Sequence, residues 1–357
     1  MTTRRALLAS FVAASAVPRL GWADAGNPAY IAAAREPDGT FALFGLSETG
    51  ADVFRIPLPD RGHAATAHPS APEIVAFARR PGTFALVIDG VGGRVIRQLD
   101  APPGRHFYGH GAFLGGGDIL CTTENEIDTG EGRIGLWLRR EGYRRIGEVA
   151  SGGIGPHDMK LLADGRTLVV ANGGIRTHPD RGREKLNLDT MRPNLTYLDA
   201  TDGILEQVEL APDLHQCSIR HLALGQGGQV AFAMQCQGDP NEAQPLLGLH
   251  RRGEAPVLCE ADLGEQVAMQ GYAGSIAFDG AAERVAITSP RGGRVHVFDR
   301  EGSFRAVHLR ADVCGIGAAV GGFVATDGLG GVLSLTAHGA TPLARAARAW
   351  DNHLILV

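Results

Sequence analysis

Pro156-His157-Asp158-Met159-Lys160-Leu161-Leu162, Arg166-Thr167-Leu168-Val169-Val170-Ala171-Asn172, Leu195-Thr196-Tyr197-Leu198-Asp199 and Ile204-Leu205-Glu206-Gln207-Val208-Glu209-Leu210 follow one another within residues 156–210. Ala163-Asp164-Gly165 joins the first pair and Thr201-Asp202-Gly203 the last. Short β-rich runs closed by Asp-Gly turns make antiparallel hairpins. This stretch therefore predicts a four-stranded antiparallel meander. The same grammar is read six more times along the chain. Second strands recur at Tyr30–Arg35, Glu73–Arg79, Asp118–Thr123, Arg166–Asn172, Gln229–Gln235, Arg284–Ser289 and Gly322–Thr326. Seven units in the residues from 26 onward give about 47 residues each, the period of a propeller blade. A sandwich would need no fixed period, and a TIM barrel would need eight helices, whereas no segment carries a helical period.

The reading is an all-β, seven-bladed β-propeller in a single domain, residues 26–357. The first unit lacks an innermost strand before Tyr30, and Trp350-Asp351-Asn352-His353-Leu354-Ile355-Leu356-Val357 is a strand without a partner. Pairing the two would close the ring and remove two exposed sheet edges. Composition agrees. The 357 residues are 44% hydrophobic and only 20% charged, which excludes a disordered chain, and Gly, at 50, is about twice its usual share, as a turn-rich fold requires.

Residues 1–25 read as an address. Thr3-Arg4-Arg5-Ala6 is a basic start with twin arginines, Leu7 to Val17 is a short apolar run, and Ala23-Asp24-Ala25 has the small-x-small form of a cleavage site. The segment resembles a twin-arginine-type export signal, so the expected location is periplasmic, with no transmembrane segment in the mature chain. Its removal leaves 31 basic and 38 acidic residues of the original 34 and 39, a formal charge of −7. Nucleic acid is then a poor partner.

The five cysteines carry no CxxC spacing. Cys217 and Cys236 flank a hairpin centred between Gln226 and Gly227, which sets them opposite one another. In an oxidising compartment they form a cross-strand bridge; otherwise they are two buried thiols.

In a propeller the innermost strands line a central channel, and their starts share one face with the loops between second and third strands. The inner-strand starts offer His63 or His68, His106 or His110, His157, Arg220 with His221, Tyr272, Cys314 and His353. The matching loops offer Arg79 with Arg80, Glu124 with Asn125, Asn172, Arg176 with His178, Gln235, Ser289 with Arg291, and Asp327. Imidazole is the commonest ligand for zinc, copper, iron and nickel. His110, His157, His178, His221 and His353 are therefore candidate metal ligands, and Glu124, Asn125, Asn172, Arg176, Arg220 and Arg291 candidate ligand-binding residues. A one-residue slip in strand register would turn His110 or His221 away from the channel. The loop Gly173 to Asn194 exceeds the 12–15 residues of ordinary connections and reads as a folded lid over the mouth. No G-x-S-x-G elbow, Walker loop or H-E-x-x-H helix is present.

Gly109-His110-Gly111-Ala112-Phe113, Thr122-Thr123-Glu124-Asn125, Ile154-Gly155-Pro156-His157, Val170-Ala171-Asn172-Gly173-Gly174-Ile175-Arg176-Thr177-His178-Pro179, Leu214-His215-Gln216-Cys217-Ser218-Ile219-Arg220-His221, Thr288-Ser289-Pro290-Arg291-Gly292-Gly293 and Trp350-Asp351-Asn352-His353 resemble the motifs of the exported bacterial family called domain of unknown function 1513. The resemblance implies a seven-bladed propeller of the quinoprotein amine dehydrogenase-like kind. It also implies partners among periplasmic iron-uptake proteins, imelysin-type and di-haem peroxidase-like, beside which members are often encoded. It brings no catalytic residues. Three functions stay open: binding of a transition metal (iron, copper or zinc) or metal complex at the channel mouth, linked to iron acquisition; a lactonase-like hydrolase or redox accessory enzyme, with Glu124 and a histidine in acid–base roles and Arg220 or Arg291 holding an anion; and an interaction platform without a small-molecule site.

Overall fold

The computed structural model describes residues 20–79, 83–182 and 184–357. Seven four-stranded antiparallel sheets are arranged around one channel, and every sheet runs in chain order from its inner to its outer strand except where the ring closes. In blade 1 the C-terminal strand Ala349–Leu356 is innermost and pairs with Tyr30–Arg35. The inner strands of blades 2 to 7 are Gly62–Ala67, Arg105–Leu114, Pro156–Leu161, Cys217–Leu224, Ser275–Phe278 and Val313–Ala319. The second strands lie where the turn grammar puts them, within one residue at either end except in blade 3, where the strand runs on to Glu126. One element has no counterpart in the sequence reading, the helix Leu263–Ala268, whose six residues are too few to display a 3.6-residue period. No helix among the described residues is long and apolar enough to cross a membrane.

The apolar core lies between the blades. Alternating side chains of each sheet face the two neighbouring sheets, and the buried apolar residues divide into clusters that each join two adjacent blades. Val169, Ala171, Leu195 and Tyr197 of blade 4 meet Ile219, Leu222, Phe232 and Met234 of blade 5, for example. Tyr30, Phe44 and Leu46 of blade 1 meet Val324 and Val332 of blade 7 across the closure, with Trp350 and Leu354 of the C-terminal strand. With apolar burial provided there, the channel is left for polar groups.

Cys217 and Cys236 pair in register, as the hairpin centre predicts, and are joined by a disulfide. Cys121, Cys259 and Cys314 are buried thiols. The expected leader falls mostly on residues 1–19, outside the described residues. Its last part is described: Trp22–Ala25 forms a 3₁₀ turn, the Trp22 indole donates to the His68 carbonyl at 3.0 Å, and Ala25 is buried.

Candidate metal centre at the channel mouth

Six of the seven inner strands break register with their second strand, and the break falls at the residue that faces the channel. The shifts lie between Gly62 and Ala65, Phe107 and Gly111, Pro156 and Asp158, Ile219 and His221, Val313 and Ile316, and opposite Ala32 and Ala34 in the C-terminal strand. They contain or adjoin His63, His110, His157, Arg220 with His221, Cys314 and His353. A bulge inserts one residue into a strand and re-aims its side chain, so each of these six blades turns at least one polar group out of the alternation and into the channel. Only the short inner strand of blade 6, Ser275–Phe278, pairs without a break.

Five imidazoles meet as a result. Ring centroids of His63 and His353 are 4.7 Å apart, His110 and His353 4.7 Å, His110 and His157 5.1 Å, His157 and His221 4.8 Å, and His221 and His353 4.9 Å. Two triads have ligand nitrogens all within 4.8 Å of one another: His63, His110 and His353, and His110, His157 and His221. Two imidazole donors on one ion at about 2.1 Å each lie roughly 3.4–4.2 Å apart, so only small ring movements separate this arrangement from coordination.

The hydrogen bonds fix which nitrogens are available. Asp158 Oδ1 lies 3.1 Å from His110 Nδ1 and also accepts from the Met159 N–H, while its Oδ2 accepts from the Leu222 N–H at 3.0 Å. His110 Nε2 is left buried without a partner. His157 Nδ1 donates to the Arg220 carbonyl at 3.1 Å, which directs its other nitrogen inward. A carboxylate or carbonyl on the far nitrogen is the usual support of a metal-bound histidine. His63 Nδ1, His221 Nδ1 and His353 Nε2 are likewise buried and have no hydrogen-bond partner among the described residues. Such groups are costly to bury unmatched. Burial and the mutual proximity of the rings hold His63 and His353 well below the ordinary histidine range, burial and the Arg220 guanidinium do so for His157, and His221 is pushed down to about 3. These four rings are neutral, the ligand form of imidazole. Asp158 keeps its charge: burial opposes it, but Lys160 and His110 hold its carboxyl well below the usual range.

His63, His157 and His221 line the floor of a cavity of about 1060 Å³ at the mouth. Arg61, Arg79, Lys185, Arg220, Tyr272 and Arg291 are among its walls. Arg61 and Arg79 pair with Asp351, at 2.7 and 3.3 Å.

Of the sequence candidates, the structure brings together His110, His157, His221 and His353, with Arg220 and Arg291 in the same cavity. His63 was one of two alternatives for blade 2, and it belongs to the cluster. His68 sits at the other end of that strand, where Nδ1 accepts from the Ser70 and Ala71 N–H groups. Glu124, Asn125 and Asn172 lie elsewhere, because second-strand side chains alternate between the faces of a blade rather than pointing down the channel. Glu124 is fully buried against Arg145, at 2.7 and 3.0 Å, and Thr122, and burial raises its carboxyl against the pull of the guanidinium. Asn125 is buried in the same strand. Asn172 is held by Ser151, Asn194 and Thr196. Arg176 donates to the Asp128 carbonyl, and His178 caps the turn Pro179–Arg181 by accepting from the Asp180 N–H. Neither lines the cavity. Arg80 lies outside the described residues.

The long loop of blade 4 is folded, as expected. Ile175, Thr177 and Met191 are buried, Tyr108 bonds Thr177 Oγ1 at 2.9 Å, and Asn187 ties Arg176 N to the Gly174 carbonyl. It brings Lys185 to the cavity, a residue the sequence reading passed over. Asp158 was also missed, although its position next to His157 is the signal that would have found it.

The family model described as "Protein of unknown function (DUF1513)" matches residues 56–357. No curated protein matches the chain. Among solved structures, Kuenenia stuttgartiensis hydrazine synthase is similar with a TM-score of 0.58 at 13% identity, over 90% of this chain and 96% of that one. At that identity the likeness shows the fold alone.

Proposed function

We propose, from the premise that this chain belongs to the DUF1513 family of proteins of unknown function, that it is a metal-binding propeller whose channel-mouth histidines hold one transition-metal ion. The observation that carries this reading is the convergence of five imidazoles, four of them with a buried nitrogen that has no hydrogen-bond partner among the described residues. His110 belongs to both triads and, with Nδ1 held by Asp158, has one nitrogen to give, so the triads share one ion. Donors of nitrogen alone suit zinc, copper, iron or nickel. The link to iron acquisition, and to imelysin-type and di-haem peroxidase-like partners, rests on the family resemblance. Export to the periplasm is supported by the sequence of residues 1–25 and by the Cys217–Cys236 bridge, a bond of oxidising compartments.

Metal titration of the chelator-treated full chain tests the reading. One equivalent of zinc, copper(II) or iron(II) should bind and raise the melting temperature, since a ligand bound only by the folded state stabilises it. His157→Ala and His353→Ala should each abolish that rise. A parent protein that takes up none of these ions would overturn the reading.

A further inference from the structure

Several charged groups line the cavity. Asp351 engages Arg61 and Arg79. Three further lining cations come from three different blades: Lys185 from the long loop of blade 4, Arg220 from the bulge of blade 5, and Arg291 from the turn after the second strand of blade 6. Lys185 Nζ is held by a neutral group, Gln237 Oε1, at 2.5 Å. The Arg291 guanidinium lies over the Tyr272 ring, 4.4 Å from its centroid, which fixes its direction without neutralising it. The three cations feel one another: besides burial, Arg220 and Arg291 hold the Lys185 ammonium below its ordinary value. A small anion in this cavity is attracted by all three.

We infer that Lys185, Arg220 and Arg291 form a binding site for a small polycarboxylate, seated so that its oxygens complete the coordination of the ion held by the histidines. The second half of this inference rests on the metal reading; the first does not. The size of the occupant follows from the cavity, whose volume of about 1060 Å³ is that of a site for an organic molecule rather than for one phosphate group. Its chemistry follows from the groups present. Guanidinium is a planar fork that matches carboxylate, and Tyr108, Tyr272, Gln237 and Asn352 add hydroxyl and amide partners around the same space. The bulge at Arg220 ties the two halves together, because its carbonyl holds His157 and its next residue is His221. An anion on Arg220 thus lies beside two of the imidazoles. The cargo of this mouth is a metal ion together with a carboxylate chelator, not the bare ion.

Calorimetric titration of citrate and of inorganic phosphate into the full chain tests this, with and without bound zinc. The metal-stripped parent should bind one citrate with an affinity that falls as salt is added. Lys185→Gln combined with Arg291→Gln, both exposed positions, should weaken it by about tenfold or more with an unchanged melting temperature. Zinc should tighten citrate and citrate tighten zinc by the same factor. If His157→Ala with His353→Ala loses zinc yet still binds citrate, the anion site stands. No citrate binding by a parent that holds zinc would overturn the inference and leave the metal reading intact. Phosphate binding as tight as citrate, or full citrate affinity in the double charge variant, would also overturn it.

Discussion

At the scale of single residues, the site depends on which imidazole nitrogen is held and which is left. Asp158 is the clearest case, since one carboxylate orients His110 and ties down the Leu222 N–H of the next blade. Asp158→Asn keeps the shape and removes the charge. It should weaken metal binding about 10–100-fold, the usual effect of losing a supporting carboxylate, while His178→Ala leaves affinity unchanged; a zinc competition titration reads both. Gly109 shows how closely the rings are fitted. Its φ of +98° is open mainly to glycine, and a Cβ there would overlap the His63 ring. Gly109→Ala should lower stability by about 1–2 kcal/mol from the backbone alone, and more from displacing His63, in urea unfolding. It should weaken zinc binding as well. Gly62-His63 and Gly109-His110 each place a glycine before a clustered histidine, a signal that would have favoured His63 over His68.

The strands and turns were the legible part. Asp-Gly turns and period-two runs mark hairpins by local chemistry alone, so second strands and the Cys217–Cys236 register follow from reading along the chain. Bulges do not. An extra residue in an inner strand is set by packing against a neighbouring blade that local sequence does not contain, and so the direction of His110 and His221 was open to a one-residue slip until the blades were assembled. Glu124 and Asn172 illustrate the converse. Their polarity suggested the mouth, whereas it serves hydrogen bonds within and between sheets. Contacts between blades also carry a pH signature. Glu73, on the second strand of blade 2, accepts from Arg139 Nε at 2.9 Å and from the Tyr143 hydroxyl at 2.5 Å, both in blade 3. Burial pushes its carboxyl up, but these bonds outweigh burial and hold it below its ordinary value. A carboxyl lowered on folding contributes fully above its unfolded-state value of about 4.3, and the contribution is lost as pH falls through the folded-state value. Glu73→Gln should therefore cost about 1.5–3 kcal/mol at pH 7, and the gap to the parent should narrow as pH falls below that unfolded-state value in melting experiments. A gap that stays constant with pH would show that the charge is not involved.

Across the whole molecule, ring closure and the histidine cluster are one construction. The C-terminal strand that completes blade 1 also delivers His353 to the middle of the imidazoles, and Asp351 beside it anchors Arg61 and Arg79 of blade 2. Seven blades with cores between them leave a channel that apolar side chains are not needed to fill, and this is why polar groups from six inner strands accumulate there. Deleting residues 349–357 should abolish both cooperative thermal unfolding and zinc binding, because it leaves the Tyr30–Arg35 edge unpaired and uncovers the core around Phe44 and Val324. Retention of a sharp transition by the shortened chain would mean that blade 1 is stable with three strands.

The central claim is that the five histidines share one ion. Anomalous diffraction from crystals grown with zinc, recorded on both sides of the zinc edge, tests it most directly. One strong peak is expected among the side chains of His63, His110, His157, His221 and His353, within coordination distance of His110 Nε2. A map without a peak there, or with zinc only on histidines outside the channel such as His178, would contradict it.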